Sequence, residues 1–296
     1  MTQARTKNQA GIAHSLLQRQ TILFPTDFSE IAHNAFEYAL HLAKTLSARI
    51  LLLHVNFETP FRPGWVPEEF VESLRAEKTE KAMRFFQEYQ REAQLSLGKS
   101  IEVNPMIVSG VAPEEIVRIS RREDIGLIVM GTLGAESIAE KVLGSVTTKV
   151  IESAECPVLA IPAEARYHPL KHIMYATSFE EEDTRVIRQL LAFSELFGAS
   201  LSCAHIRSQP GYWDRVDVKV FEDLYPLELE EARLRFFISN DPDVLHGLHR
   251  FVEDHKVDMI VMLKHRQHYM DKMLRESHTR QMALHTAIPL LALHDR

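Results

Sequence analysis

Residues 127–148 have the sequence LIVMGTLGAESIAEKVLGSVTT, which is the strongest pattern in the chain. Four apolar residues lead into Gly131 and Gly134, and Gly144 follows in the spacing G-x2-G-x9-G-S. An apolar run that ends in glycines predicts a buried strand and a tight loop, because glycine reaches positive φ cheaply and lets a ligand approach the backbone. Ser145 then begins a predicted helix, whose N-terminal N–H groups can hold phosphate.

The glycine spacing alone leaves two interpretations open. Ordinary loop and helix-cap glycines occur in any α/β protein, and they would give the same residues. The spacing also differs from the two common phosphate fingerprints, because no Lys-Ser/Thr pair follows the last glycine and no G-x-G-x-x-G opens a helix. If the segment binds phosphate, it is a loop of a third type.

Composition indicates a soluble, two-domain protein. The chain has 296 residues, 45% of them apolar and 25% charged, and a domain typically takes roughly 150 residues. No apolar stretch approaches the ~20 residues of a membrane span. We interpret residues 1–20 as a mobile leader without a secretion signal, and we expect a cytoplasmic protein.

Charge and cysteine content narrow the function classes further. The net charge of −7 argues against nucleic-acid binding, and no basic stripe interleaved with aromatic residues is present. The two cysteines, Cys156 and Cys203, predict buried free thiols in a reducing compartment rather than a disulfide framework.

The chain contains an internal repeat. The first two matches below share a shift of 151 residues and the last two a shift of 132, so the second half is about 19 residues shorter in its middle. The matched segments are TILFPTDF (21–28) with HIMYATSF (172–179), LLHV (52–55) with CAHI (203–206), LIVM (127–130) with MIVM (259–262), and CPVLAI (156–161) with IPLLAL (288–293).

Strand-like and helix-like patterns alternate within each half, which predicts βαβ crossovers and a parallel sheet. The first half has predicted strands near 21–25, 49–55, 101–108, 125–130 and 157–161, and predicted helices after Ser29, over 68–97, over 113–122 and over 145–153. We therefore predict an α/β fold of two tandem open five-stranded parallel sheets, with helices on both faces, in domains 21–163 and 170–296.

Strand order decides which residues can meet. In an open α/β sheet the ligand lies beyond the carboxyl ends of the strands, where the strand order reverses. If the order is 3-2-1-4-5, residues 25–27 leave strand one beside Met130 and Gly131, which leave strand four. The predicted site joins segments about a hundred residues apart in sequence.

Four motifs together resemble the universal stress protein family in its tandem two-domain form. They are PTDFS (25–29), LLHV (52–55), the glycine spacing with its serine, and CPVLAI (156–161). The resemblance covers nearly the whole chain after residue 20 and implies the adenine nucleotide alpha hydrolase-like fold with strand order 3-2-1-4-5. The glycines match the nucleotide-binding branch of that family, which implies ATP as the ligand of the first domain.

The same resemblance assigns site residues. Around the adenosine it implies Pro25, Thr26, Asp27 and Val55, with the Asp27 carboxylate accepting a hydrogen bond from the nucleoside. Along the ribose and phosphates it implies Met130, Gly131 and Gly134. Around the phosphates it implies backbone N–H groups and hydroxyls of Gly144, Ser145, Val146 and Thr147. Such donors bind charged oxygens more strongly than neutral ones.

Other roles stay open for single residues. Asp27 could cap the helix that starts near Ser29, and His54 is better interpreted as a strand-end histidine with its hydrogen bonds satisfied than as a ligand. Thr148 and Lys149 fit a helix surface better than phosphate contacts.

The second half has lost the phosphate pattern. The residues that replace Asp27, Gly131, Gly134 and Gly144 are Ser178, Leu263, Arg266 and Glu276, while Ser277 keeps the type of Ser145. We predict that this half does not bind ATP and serves as a pairing half, with 158–161 and 290–293 as paired edges. A homodimer, another anion at the basic segment 264–268 and a metal at His265 and His268 are further alternatives.

The leading functional hypothesis is an ATP-binding stress-response protein in which nucleotide occupancy alters interactions. No water-activating base, arginine finger or magnesium carboxylate pair is identifiable, so no catalytic residue is assigned; a slow ATPase stays open, with Mg²⁺ arriving on the phosphates. The competitors are a nucleotide-independent interaction module and an adenylating enzyme. An adenylating enzyme would need an SGGxDS-like loop, which residues 24–29 lack.

Overall fold

The computed structural model describes residues 20–57, 67–97, 101–132, 145–208, 218–264 and 286–294. The predicted leader lies outside them except for Gln20. Contacts within the chain separate residues 19–158 from residues 159–296. The first unit and the start of the second contain β1 (Thr21–Pro25), α1 (Glu30–Leu46), β2 (Arg49–Asn56), α2 (Glu68–Leu97), β3 (Val103–Ser109), α3 (Ala112–Ser120), β4 (Ile125–Gly131), α4 (Ser145–Ser153) and β5 (Val158–Ile161).

The second unit repeats this alternation with a different middle. Where the first unit has the 30-residue α2, the second has two five-residue helices, α6 and α7. The elements are β6 (His172–Ala176), α5 (Glu181–Glu195), β7 (Ser200–Arg207), α6 (Val218–Glu222), α7 (Pro226–Glu230), β8 (Leu234–Asn240), α8 (Val244–His255), β9 (Met259–Lys264) and β10 (Leu290–His294).

Strand pairing confirms the predicted parallel order. In the first unit β1 is central: Leu23 aligns with Leu51 of β2 on one side and with Ile128 of β4 on the other. β3 pairs with the far edge of β2, and Ile128 N donates to Pro157 O at 3.0 Å just before β5. In the second unit the order is β8-β7-β6-β9-β10, again parallel throughout. The strand order therefore reverses beside β1 and beside β6.

Helix α1 holds the segment after β1 against the sheet. Ser29 is its N-cap, because the Ser29 hydroxyl accepts a hydrogen bond from Ala32 N at 3.2 Å. Ala35, Phe36 and Ala39 are fully buried on its sheet-facing side. The helix ends at Leu46, and its C-cap residue Ser47 has a left-handed φ of 51°. Since all five residues of β1 are buried as well, the turn between β1 and α1 starts from a rigid base.

Helix α2 packs on the sheet only in its second half. Ala82, Phe86, Tyr89 and Ala93 are buried at helical spacing, whereas residues 68–81 contribute no buried side chain. The helix therefore leaves the sheet near residue 81.

No helix among the described residues combines the length and the apolar character that a membrane span requires. Both cysteines are free and buried.

Candidate functional site

The turn after β1 is fixed by its own side chains. Thr26 N donates to Leu53 O at 2.9 Å, which extends the pairing of β1 with β2 by one residue. The Thr26 hydroxyl accepts from Phe28 N at 3.0 Å, and Asp27 Oδ1 accepts from Ser29 N at 3.0 Å. Asp27 therefore holds the residue that caps α1 rather than capping the helix itself, and its side chain remains exposed at the carboxyl end of the sheet.

A cavity of about 450 Å³ opens beside this turn, within the size range of small-molecule sites. It lies between the carboxyl ends of β1 and β2 and helix α2. Its lining residues are Asp27, Phe28, His54, Val55, Asn56, Phe57, Lys78, Lys81, Ala82 and Phe85. Two of the residues assigned from the sequence, Asp27 and Val55, are brought together here.

Phe28 forms an aromatic wall of the cavity. Its ring stacks on Phe85 with centroids 4.7 Å apart and lies 4.6 Å from the ring of His54. The backbone of Phe28 has a φ of 63°, which is unfavourable for a bulky side chain. Packing against α2 and β2 maintains this conformation, so the position of the Phe28 ring is fixed by contacts within the protein.

His54 has a defined tautomer in its neutral form. Its Nδ1 lies 2.9 Å from Thr26 O, and a carbonyl oxygen can only accept, so Nδ1 carries the proton. The neutral ring then has Nε2 as an acceptor. His54 is therefore the satisfied strand-end histidine expected from the sequence, and it also lines the cavity.

Tyr89 of α2 contacts the turn after β1. Its hydroxyl lies 3.3 Å from Thr26 Oγ1, and the side chain is almost fully buried. Burial raises the pKa of Tyr89 to about 12, although the hydrogen bond with Thr26 acts in the opposite direction. Tyr89 is therefore neutral at physiological pH and stabilises the hydroxyl that orients Phe28.

The glycine segment begins where β4 ends. Thr147 Oγ1 donates to Gly131 O at 2.8 Å, which brings the first turn of α4 to the end of β4. Thr147 is 3% exposed, whereas Ser145 is exposed, so Ser145 has the accessible hydroxyl of this turn. In this structure the Thr147 hydroxyl donates its proton within the protein, and a contact of Thr147 with phosphate stays a prediction.

Gly131 has a packing role that the sequence did not predict. It does not adopt positive φ; instead, a Cβ at this position would lie 3.0 Å from Ile31 Cγ2 and 3.4 Å from Ile31 O. The close approach is to the first turn of α1. Gly134 and Gly144 lie outside the described residues.

Not every assigned residue lines the cavity. Pro25, Thr26 and Met130 are buried beneath the carboxyl edge of the sheet, and Gly131 is partly exposed. The first turn of α4, residues 145–147, lies on the β4 side, away from the cavity lining. The assigned residues therefore fall into two groups. One group lies at the carboxyl ends of β1 and β2, and the other lies at the carboxyl end of β4 and the N-terminus of α4.

Sequence reasoning missed the contribution of α2. Lys78, Lys81, Ala82 and Phe85 follow the spacing i, i+3, i+4, i+7, which places them on one helix face. That spacing was readable in the sequence. Its meaning was not, because the face consists of two charged residues, one small residue and one aromatic residue rather than an apolar stripe.

The second unit repeats the turn without the acidic residue. Phe179 N donates to Thr177 Oγ1 at 2.9 Å, Phe179 has a φ of 57°, and His205 Nδ1 lies 2.8 Å from Thr177 O. Ser178 stands in the place of Asp27. Leu263, which replaces Gly131, is in β9. Arg266, Glu276, Ser277, His265 and His268 lie outside the described residues.

A buried carboxylate stabilises this second turn. Asp183 accepts hydrogen bonds from the Thr177 hydroxyl at 2.7 Å, from Glu180 N at 2.9 Å and from the Tyr175 hydroxyl. Asp183 is 1% exposed, so its charge serves the turn rather than a ligand. Among the described residues, no group of three or more His, Cys, Asp or Glu side chains could hold a metal ion.

Comparison with known proteins places these features in context. A family model described as the universal stress protein family matches residues 18–162. The universal stress protein MJ0577 of Methanocaldococcus jannaschii is 34% identical over 154 residues, which cover 47% of this chain and 93% of that protein. Universal stress protein Rv1996 of Mycobacterium tuberculosis is 25% identical over 206 residues, covering 65% of this chain and 64% of the relative.

The fold is also similar to a solved structure over most of the chain. A universal stress protein from Archaeoglobus fulgidus superposes with a TM-score of 0.71, covering 94% of this chain and 98% of that one. Sequence identity in this comparison is 19%, so the likeness concerns the fold alone.

Proposed function

Because the chain belongs to the universal stress protein family, we propose that its first unit binds ATP and that nucleotide occupancy regulates stress-response interactions. The observation that carries the proposal is the pairing of β1 with β4, in which Leu23 aligns with Ile128. This register puts Asp27 and the end of β4 at one edge of the sheet, where strand order reverses. An acidic acceptor and a helix N-terminus thereby lie at the same edge of the sheet, at the ends of adjacent strands.

The two residue groups match two parts of a nucleotide. The cavity beside Asp27 and Val55 offers aromatic surface, the His54 acceptor and a carboxylate, which suits an adenosine with its exocyclic amine and ribose hydroxyls. The first turn of α4 offers backbone N–H groups without intrahelical partners, together with the Ser145 hydroxyl, which suits phosphate.

The proposed contacts follow from this division. Around the adenosine we propose Asp27, Val55 and the backbone of residues 25–26, and along the ribose and phosphates Met130, Gly131 and Gly134. The N–H groups that hold the phosphates would come from Gly144, Ser145, Val146 and Thr147. Any Mg²⁺ would arrive with the phosphates. We place this function in the cytoplasm, which the two buried free cysteines support.

We propose that the second unit does not bind ATP. Its turn keeps the geometry of the first but has Ser178 in place of Asp27, and Leu263 adds a side chain where the first unit has Gly131. The domain limits 21–163 and 170–296 and the pairing role of the second half stay predictions.

Isothermal titration calorimetry with ATP tests the proposal, and the repeat supplies a matched control. Asp27→Ala removes the proposed nucleoside acceptor, and Ser178→Ala changes the corresponding residue of the second unit. We expect one ATP per chain, a loss of about tenfold in affinity for Asp27→Ala, and no change for Ser178→Ala. Absence of saturable ATP binding by the wild-type protein would instead favour the nucleotide-independent interaction module.

A further inference from the structure

The α2 side of the cavity has two ammonium groups that the ATP proposal does not use. Lys78 and Lys81 are one helical turn apart and both line the cavity. Lys78 Nζ donates to Phe57 O at 3.4 Å, which directs this side chain toward the end of β2. Both residues lie where α2 leaves the sheet, so their side chains are exposed to solvent at the cavity mouth.

The charge of the residues that line the cavity is opposite in sign to the net charge of the whole protein. The chain has a net charge of −7, yet the described residues lining this cavity include two lysines and one carboxylate, Asp27. Lysine side chains at the rim of a concave site attract anions and raise their local concentration. The cavity is therefore electrostatically suited to an anionic group near α2.

The strand order separates Lys78 and Lys81 from the first turn of α4, where the phosphates are proposed to bind. Lys78 and Lys81 face the end of β2, while the first turn of α4 lies at the end of β4, and β1 stands between the two strands. Two strand spacings amount to roughly 10 Å. If the 5′ phosphates bind at α4, the two lysines are therefore available to contact a different anionic group of the same ligand.

We propose that Lys78 and Lys81 bind a second phosphate of the ligand, so that the site prefers adenine nucleotides phosphorylated on the ribose as well as on the 5′ oxygen. The inference rests on the proposed function, because it assumes an adenosine opposite Asp27 with its 5′ phosphates at α4. The lysines lie on the β2 side of this adenosine and α4 lies on the β4 side, so a phosphate on a ribose hydroxyl that faces the cavity would meet the lysines.

The test compares ligands that differ by one phosphate. Calorimetric titrations of the full chain with AMP, adenosine 3′,5′-bisphosphate and adenosine 2′,5′-bisphosphate measure the gain from the ribose phosphate. The variant Lys78→Gln/Lys81→Gln removes the proposed contacts. The control Arg75→Gln/Arg84→Gln removes two positive charges from exposed positions of the same helix that do not line the cavity.

We expect wild-type protein and the arginine control to bind at least one bisphosphate about fivefold or more tightly than AMP. In the lysine variant this ratio should fall to about one, while the affinity for AMP stays within about twofold. Equal affinities for AMP and both bisphosphates in the wild type, or an unchanged ratio in the lysine variant, would overturn the inference and leave ATP binding standing. If neither AMP nor ATP binds, the proposed function fails and this inference fails with it.

Discussion

The hydroxyl of Thr147 donates a hydrogen bond to the carbonyl oxygen of Gly131 at 2.8 Å. These residues stand on either side of a segment outside the described residues, and their contact ties the start of α4 to the end of β4. The orientation of the α4 N-terminus relative to the sheet therefore depends on a buried side chain.

Replacing Thr147 by valine should weaken both stability and ATP binding. Valine keeps the shape but leaves Gly131 O without this donor, so we expect a loss of about 1 kcal/mol in the free energy of unfolding. We also expect a severalfold loss in ATP affinity, because the first turn of α4 is less well fixed. Urea denaturation and calorimetry measure the two effects. Thr148→Val, the same change one residue later, should leave ATP affinity unaffected.

Gly131→Ala should destabilise the protein through Ile31. The added Cβ would lie 3.0 Å from Ile31 Cγ2, a contact that forces neighbouring atoms to move. We expect a cost of about 1–3 kcal/mol. Ile31→Ala removes Cγ2, so the same glycine substitution should cost less in that background. A double-mutant cycle in urea measures this coupling, and strictly additive effects would contradict the proposed contact.

Two helices end on non-glycine residues with left-handed backbones, and glycine should stabilise both ends. Ser47 after α1 has a φ of 51°, and Lys256 after α8 has a φ of 53°. Ser47→Gly and Lys256→Gly should each raise the free energy of unfolding by about 1 kcal/mol. Arg121, which follows α3 with a right-handed φ of −77°, is the control. Arg121→Gly should give no such gain in thermal or urea unfolding.

Alkaline pH should destabilise the first unit through Tyr89. Its folded pKa of about 12 exceeds the ordinary value of 10.0, so the unfolded chain releases this proton more readily. The stabilisation is complete below pH 10 and decreases as the pH rises toward 12. Tyr89→Phe should reduce this pH dependence, although it also removes the contact with Thr26. Urea denaturation across this range measures it, and parallel curves for both proteins would refute the assignment.

Several features of this protein followed from local sequence. The strand 21–25 and the helix 145–153 were predicted with the bounds that the structure has, because apolar runs, N-cap residues and glycines act over a few neighbouring positions. The repeat predicted a recurring turn, and Thr26 and Thr177 make equivalent hydrogen bonds. The parallel direction of the strands followed from the alternation of strands and helices, whereas the strand order came from the family resemblance.

The sequence by itself thus determined the α/β class, the repeat and the edge of the sheet at which Asp27 lies. Only the tertiary structure decided that Lys78 and Phe85 share a cavity with Asp27, that Ile31 packs closely against residue 131, and that the Thr147 hydroxyl is used internally. The reason is physical: local patterns fix backbone conformation over a few residues, whereas these contacts depend on how helices far apart in sequence pack on one sheet.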